Sequence, residues 1–107
     1  MNRHFRFLPQ AERDFAGQFD YLEANAPPDG AERYRAALDA TCNSLAQHSG
    51  LGKRVRTSRR NLRGLRQFLV SSPFDKYIVF YIGTESGIDV ARILHGSRDL
   101  DSILALG

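Results

Sequence analysis

At 107 residues, 42% of them hydrophobic, the chain has material for one core and not for two, so a single domain over residues 1–107 is expected. Its longest apolar run, around Ile78 to Ile82, is far too short to cross a bilayer, Met1 to Phe5 holds no signal-peptide core, and one cysteine can close no intrachain disulfide, which together predict a cytoplasmic protein with no membrane partner. The net charge of +3 is unevenly spread: residues 51–107 carry ten basic and five acidic groups, and seven of the ten, Lys53, Arg54, Arg56, Arg59, Arg60, Arg63 and Arg66, follow one another without an acidic residue between them.

Arg3 to Leu8 alternates, with Phe5 and Phe7 on one side and His4 and Arg6 on the other, the period of a half-buried strand. Pro9 suits the first turn of a helix, where its missing N–H costs nothing, and Ala11, Phe15, Phe19 and Leu22 then line one helical stripe. Pro27-Pro28 breaks that helix, and Asp29 with Glu32 three residues later reads as a capping box opening a second one. Along it Tyr34, Leu38, Thr41, Cys42 and Leu45 repeat the helical spacing up to Ser49-Gly50, which makes Cys42 a buried core residue rather than a reactive thiol.

Leu51 to Asn61 has no apolar periodicity and is expected to be an exposed loop. Three strand-like runs follow, from Leu65 to Val70, Tyr77 to Ile82 and Ile88 to Leu94, joined by short turns as in an antiparallel meander. Leu100, Ile103, Leu104 and Leu106 suit a short C-terminal helix or arm. The order β-α-α-β-β-β gives an α+β fold, a helical hairpin packed on one face of a small, mostly antiparallel sheet, with the other face left bare.

That order, taken with Pro9-Gln10-Ala11-Glu12-Arg13-Asp14-Phe15, Gly64-Leu65-Arg66, Tyr77-Ile78-Val79-Phe80-Tyr81 and the closing Ile93-Leu94-His95-Gly96-Ser97-Arg98-Asp99-Leu100, resembles the ParE branch of the RelE/ParE superfamily of type II toxin–antitoxin modules. Leu8 stands where members often carry a Ser or Thr helix cap. The resemblance implies a growth-inhibiting toxin that binds DNA gyrase and is neutralised in a hetero-oligomer by a small ParD-like antitoxin, laid along the bare sheet face and across the helical hairpin. RelE-like members of similar fold are instead ribosome-dependent mRNA endoribonucleases, and a third kind of relative binds its partner without harming the cell.

Cutting RNA without a metal needs a base, a cation for the crowded phosphate and an acid for the leaving oxygen. Arg66, Arg92 and His95 are the candidates for a nuclease, beside Arg63, Tyr77 and Tyr81; the two tyrosines have matching parity along their strand and read equally as packing residues with their hydroxyls at the rim. Arg92 and His95, three apart on one strand, point to opposite faces, which argues against a catalytic pair and for a structural His95 at a strand end. The basic stretch reads either as a solvated loop or as an electrostatic surface for nucleic acid, a gyrase–DNA complex or an acidic antitoxin, with Arg59, Arg60, Arg63 and Arg66 its contact candidates. Neither a phosphate-cradling Gly loop nor metal-ligand spacing occurs, so no cofactor and no metal are expected; Pro27-Pro28 and the later strands fit a helix-turn-helix repressor poorly.

Overall fold

A computed structural model describes residues 2–106; Met1 and Gly107, the two ends of the expected domain, lie outside the described residues. The chain runs β1 (His4–Phe7), α1 (Pro9–Asn25), α2 (Gly30–Gln47), β2 (Lys53–Arg54), β3 (Arg66–Leu69), β4 (Tyr77–Thr84), β5 (Gly87–His95) and α3 (Leu100–Leu104), with 3-10 turns at Ser49–Leu51 and Arg60–Leu62. The five strands form one sheet in the order β1-β5-β4-β3-β2, antiparallel except where β1 lies parallel to β5. The α+β architecture read from the sequence is therefore the observed one, enlarged by one strand. Among the described residues no helix is long and apolar enough to cross a membrane.

The helical hairpin covers one sheet face. All five stripe residues of α2, Tyr34, Leu38, Thr41, Cys42 and Leu45, are buried, and they meet Val79, Tyr81, Ile88, Val90 and Ile93. Each large side chain so removed from water contributes about 1.5–3 kcal/mol. Burial pushes the Cys42 thiol up to about 12, with Asp39 adding to the shift, so this side chain acts as a small apolar filler. On α1 only Ala11 is fully buried; Phe15 and Leu22 are half-buried, because this helix sits at the border of the sheet rather than over its centre.

The border position has a cause. β1 pairs with β5 only from His4↔Gly87 to Phe7↔Val90, so the second half of β5 has β4 on one side and no strand on the other. Register skips there, with Tyr81 opposite Val90 and Phe80 opposite Arg92, and Ala91 forms a bulge. α1 closes the gap with side chains one turn apart. Asp14 Oδ2 accepts from Ile93 N–H at 2.9 Å, and Gln18 Nε2 donates to Ile93 C=O at 2.7 Å, so both backbone groups that would face an empty edge are satisfied. Asp14 also takes a two-pronged bond from Arg92 (2.8 and 3.0 Å), and Gln18 Oε1 accepts from the buried Tyr34 hydroxyl at 2.6 Å. The Asp14 hydrogen bond raises the Arg92 pKa against the opposing effect of burial. Gly87, at φ +145°, lets β1 come this close: a Cβ there would collide with the backbone of His4.

Three expectations are corrected. The Asp29–Glu32 capping box does not form: Asp29 sits in the left-handed region at φ 68° with no side-chain cap bond, because the tight Pro27-Pro28 turn is closed by Gly30 N–H to Pro27 C=O instead. The expected loop over Leu51 to Asn61 contains β2, which pairs Lys53 with Gln67 and Arg54 with Arg66. The sheet face away from the hairpin is not bare. Leu62 and Leu65 from the basic stretch and Leu104 from α3 bury Phe80, Ala91 and Leu94, with Val55, Ile103 and Leu106 around them. Backbone and hydroxyl bonds tie these two covers together: Thr57 Oγ1 to Leu104 C=O at 2.6 Å and Ser58 N–H to Ala105 C=O at 2.9 Å.

Tyr81 is also more deeply engaged than a packing residue with its hydroxyl at the rim. It is fully buried, its hydroxyl accepting from Gly52 N–H at 2.8 Å and donating to Ser49 C=O at 2.7 Å, which anchors the 3-10 turn after α2. Gly52 is required by that approach, since a Cβ would strike the Tyr81 ring and hydroxyl.

Two outcomes follow for stability. Asp14→Ala leaves a mostly buried guanidinium and the Ile93 N–H without their partner, and should cost about 2–4 kcal/mol in urea unfolding; a loss below about 1 kcal/mol would contradict the edge-closing role. Tyr81→Phe removes one hydroxyl and strands a buried N–H and a carbonyl, and the same titration should show a loss of about 1–3 kcal/mol with the fold kept.

Candidate functional site

The basic stretch forms a strongly charged surface. Lys53, Arg54, Arg56, Arg59, Arg60 and Arg63 are all exposed, and among the described residues none has a carboxylate within 4 Å. Arg56, Arg59, Arg60 and Arg63 line a shallow hollow of about 530 Å³. Its floor is fixed rather than mobile by construction, because Val55 and Leu62 turn inward to the second core while Thr57 and Ser58 are bonded to the C-terminal arm. Residues at irregular intervals therefore serve the core, and the arginines between them are held out as a group. Unpaired guanidiniums over a fixed floor suit phosphate or carboxylate groups.

Arg66 stands apart from this group. Its guanidinium donates to Gly52 C=O at 2.6 Å and reaches Gly50 C=O at 3.5 Å, so it braces the turn that Tyr81 holds from below. The remaining candidates are dispersed as well. Arg92 is held by Asp14 on the free edge of β5. His95, the last residue of β5, lies edge-on against Tyr77 with ring centroids 5.2 Å apart, and its Nδ1 accepts from Ser97 N–H at 3.1 Å and lies 2.8 Å from the Ser97 hydroxyl. With Nδ1 so occupied, the neutral ring carries its proton on Nε2. No contact joins any two of Arg66, Arg92 and His95. Tyr77 and Tyr81 do share a face as their spacing implies, both packing toward the helical hairpin.

The edge strands β2 and β3 leave a second kind of surface. Leu51 (53% exposed), Phe68 (37%) and Leu69 (52%) lie open beside Ile78 and Lys53 around a hollow of about 520 Å³. This apolar margin lies at the β2–β3 border of the sheet: Leu69 stands opposite Ile78 on the face whose middle the C-terminal arm covers, and Phe68 opposite Val79 on the hairpin side. Sequence reasoning missed the partition because the inward residues Val55, Leu62 and Leu65 follow no strand or helix period. It missed Asp14 and Gln18 for another reason: their i, i+4 spacing on α1 was visible, but the gap they fill is created by tertiary pairing. Among the described residues no three His, Cys, Asp or Glu side chains gather as a metal site would require.

No curated protein matches the sequence. Among solved structures the chain is similar to one from the chromosomal ParDE toxin–antitoxin system of P. aeruginosa, at TM-score 0.65 and 14% identity, covering 87% of this chain and 95% of that one. It is also similar to a chain of the YoeB–YefM complex from Staphylococcus aureus, at TM-score 0.52 and 14% identity, covering 89% and 98%. At that identity the structures speak for the fold alone. The family described as the ParE toxin of the type II toxin–antitoxin system parDE matches residues 5–100, nearly the whole chain with both sheet edges, the basic stretch and the β5 end inside the match; the protein is a member of the ParE toxin family.

Proposed function

We propose that this ParE-family chain is a growth-inhibiting toxin that binds DNA gyrase through its basic surface and is neutralised by a cognate antitoxin in the cytoplasm. The observation that carries the target reading is the group of exposed cations from Lys53 to Arg63, unpaired among the described residues and mounted on a floor that the C-terminal arm fixes. Such a surface attracts a DNA-bound enzyme at a distance and makes charge-assisted bonds at contact. Arg59, Arg60 and Arg63 are its contact residues, with Arg66 holding the adjoining turn in place.

The antitoxin reading has separate support. The two similar structures come from toxin–antitoxin systems, and the margin of Leu51, Phe68 and Leu69 beside Lys53 suits an amphipathic segment carrying acidic side chains. Neutralisation then follows from occupancy, since a partner seated at β2 and β3 lies beside the basic stretch. A RelE-like ribonuclease using Arg66, Arg92 and His95 has less behind it: both guanidiniums and the Nδ1 of the imidazole are engaged in structural bonds, and the three groups do not meet.

Purified toxin should inhibit gyrase supercoiling, and the variant Arg59→Glu, Arg60→Glu, Arg63→Glu should need about tenfold or more protein for the same inhibition. Toxin added in parallel to translating ribosomes should leave the message intact. Unimpaired supercoiling together with cleavage of messages on the ribosome would overturn the proposal in favour of the nuclease.

A further inference from the structure

Another concave site lies away from the basic stretch, where the C-terminal half of β5 meets the solvent side of α1. It is a cleft of about 510 Å³ walled by Arg13 and Tyr21 of α1, Tyr77 at the start of β4, and His95, Ser97 and Arg98 at and beyond the end of β5. Each wall offers something the toxin reading leaves unused. Arg13 and Arg98 are exposed and, among the described residues, form no ion pair. The acidic neighbour Asp14 is neutralised by Arg92, so it does not compete for these cations. Tyr21 is 62% exposed, the most open large apolar-bodied side chain among the described residues. Burial, and behind it the nearby Tyr21, pushes the Tyr77 phenol up, so the Tyr77 ring stands in this wall as a neutral phenol.

We infer that this cleft binds a nucleoside phosphate, its base stacked on Tyr21 and its phosphate held between Arg13 and Arg98 with His95 Nε2–H as a further donor. The chemistry of the walls selects that ligand. Two unpaired guanidiniums and an N–H call for a compact anion, and an exposed phenol ring beside them calls for a flat aromatic group; a nucleotide carries both on one short frame. The basic stretch from Lys53 to Arg66 has no aromatic residue of its own, so its arginines offer a phosphate site without a stacking ring, which the cleft supplies in Tyr21.

A single strand of nucleic acid is the favoured source of that nucleotide. Between the basic hollow and the cleft lies a third depression of about 350 Å³, lined in part by Gln10, Arg59 and Arg92. Arg59 also lines the basic hollow, and Arg92 is bonded to Asp14, which borders the cleft. The third depression, which includes Ala91 and Arg92 of β5, thus adjoins the basic hollow at Arg59 and the cleft through the Arg92–Asp14 pair, linking phosphate-binding arginines to a stacking ring. This inference does not rest on gyrase as the target.

The test is direct binding by the purified full-length chain at low salt. A 5′-fluorescein-labelled single-stranded dodecathymidylate is followed by anisotropy, with ATP and inorganic phosphate as competitors. Tyr21→Ala and Arg98→Ala should each weaken oligonucleotide binding about tenfold or more, while Tyr21→Phe should keep it. Competition by ATP means the site accepts free nucleotides as well; binding of the strand without such competition assigns it to nucleic acid. As a second readout on unmodified protein, the amide NMR signals of Ser97 and Arg98 should shift on adding oligonucleotide. No binding of either nucleotide probe, equal binding by the wild type and both alanine variants, unmoved Ser97 and Arg98 signals, or competition by phosphate as effective as that by ATP would overturn the inference. Gyrase inhibition is not read in this assay, so its loss or retention leaves the result intact.

Discussion

A five-stranded sheet with one strand too short to reach its neighbour's end must satisfy the leftover edge in some other way, and here a carboxylate and an amide one helical turn apart do so. Asp14 and Gln18 take both hydrogen-bonding groups of Ile93, the residue of β5 that faces outward just after the bulge at Ala91. Neither side chain acts alone. Asp14 is held by Arg92 and Gln18 by the Tyr34 hydroxyl, so the edge, α1, α2 and the helix-side core form one bonded unit. Replacing a missing strand by side chains on a helix also blocks an outside strand from pairing at that position.

Much of the surface is a consequence. Because α1 is drawn to the border of the sheet, its outward side, with Arg13 and Tyr21, meets the end of β5 and makes a cleft instead of a flat flank. On the far face, Val55, Leu62 and Leu65 and the C-terminal Leu104 bury Phe80, Ala91 and Leu94, and in burying them hold the arginines between them outward. Charge presentation and core closure are therefore properties of the same residues 55–65. What is left for a protein partner is the margin at Leu51, Phe68 and Leu69 rather than a whole sheet face.

Where the sequence was legible, a strict period was the reason. The stripe of Tyr34, Leu38, Cys42 and Leu45, the alternation of Phe5 and Phe7, and the paired strands Tyr77–Thr84 and Gly87–His95 are local patterns that tertiary contacts only had to accept. Cys42 as core and His95 as a bonded strand end were legible for the same reason. What escaped depended on distant partners. β2 is two residues long and exists only because β3 lies beside it, the cover of the second face uses apolar residues at irregular intervals, and Asp29 took its backbone from the Pro27-Pro28 turn in place of a cap. Among the candidate residues, charge density marked Arg59, Arg60 and Arg63 correctly as exposed cations, but could not tell that Arg66, in the same run, is turned onto backbone carbonyls.

The claim that side chains of α1 stand in for a strand is most directly tested at one backbone group, the Ile93 amide, by residue-resolved hydrogen exchange. Exchange at Ile93 should be slow in the native protein although no strand lies on that side. In Asp14→Ala, exchange there should accelerate well beyond any change at Leu94, which β4 pairs through Ile78. An Ile93 amide that exchanges in the unmodified protein as fast as one in an open loop would contradict that claim.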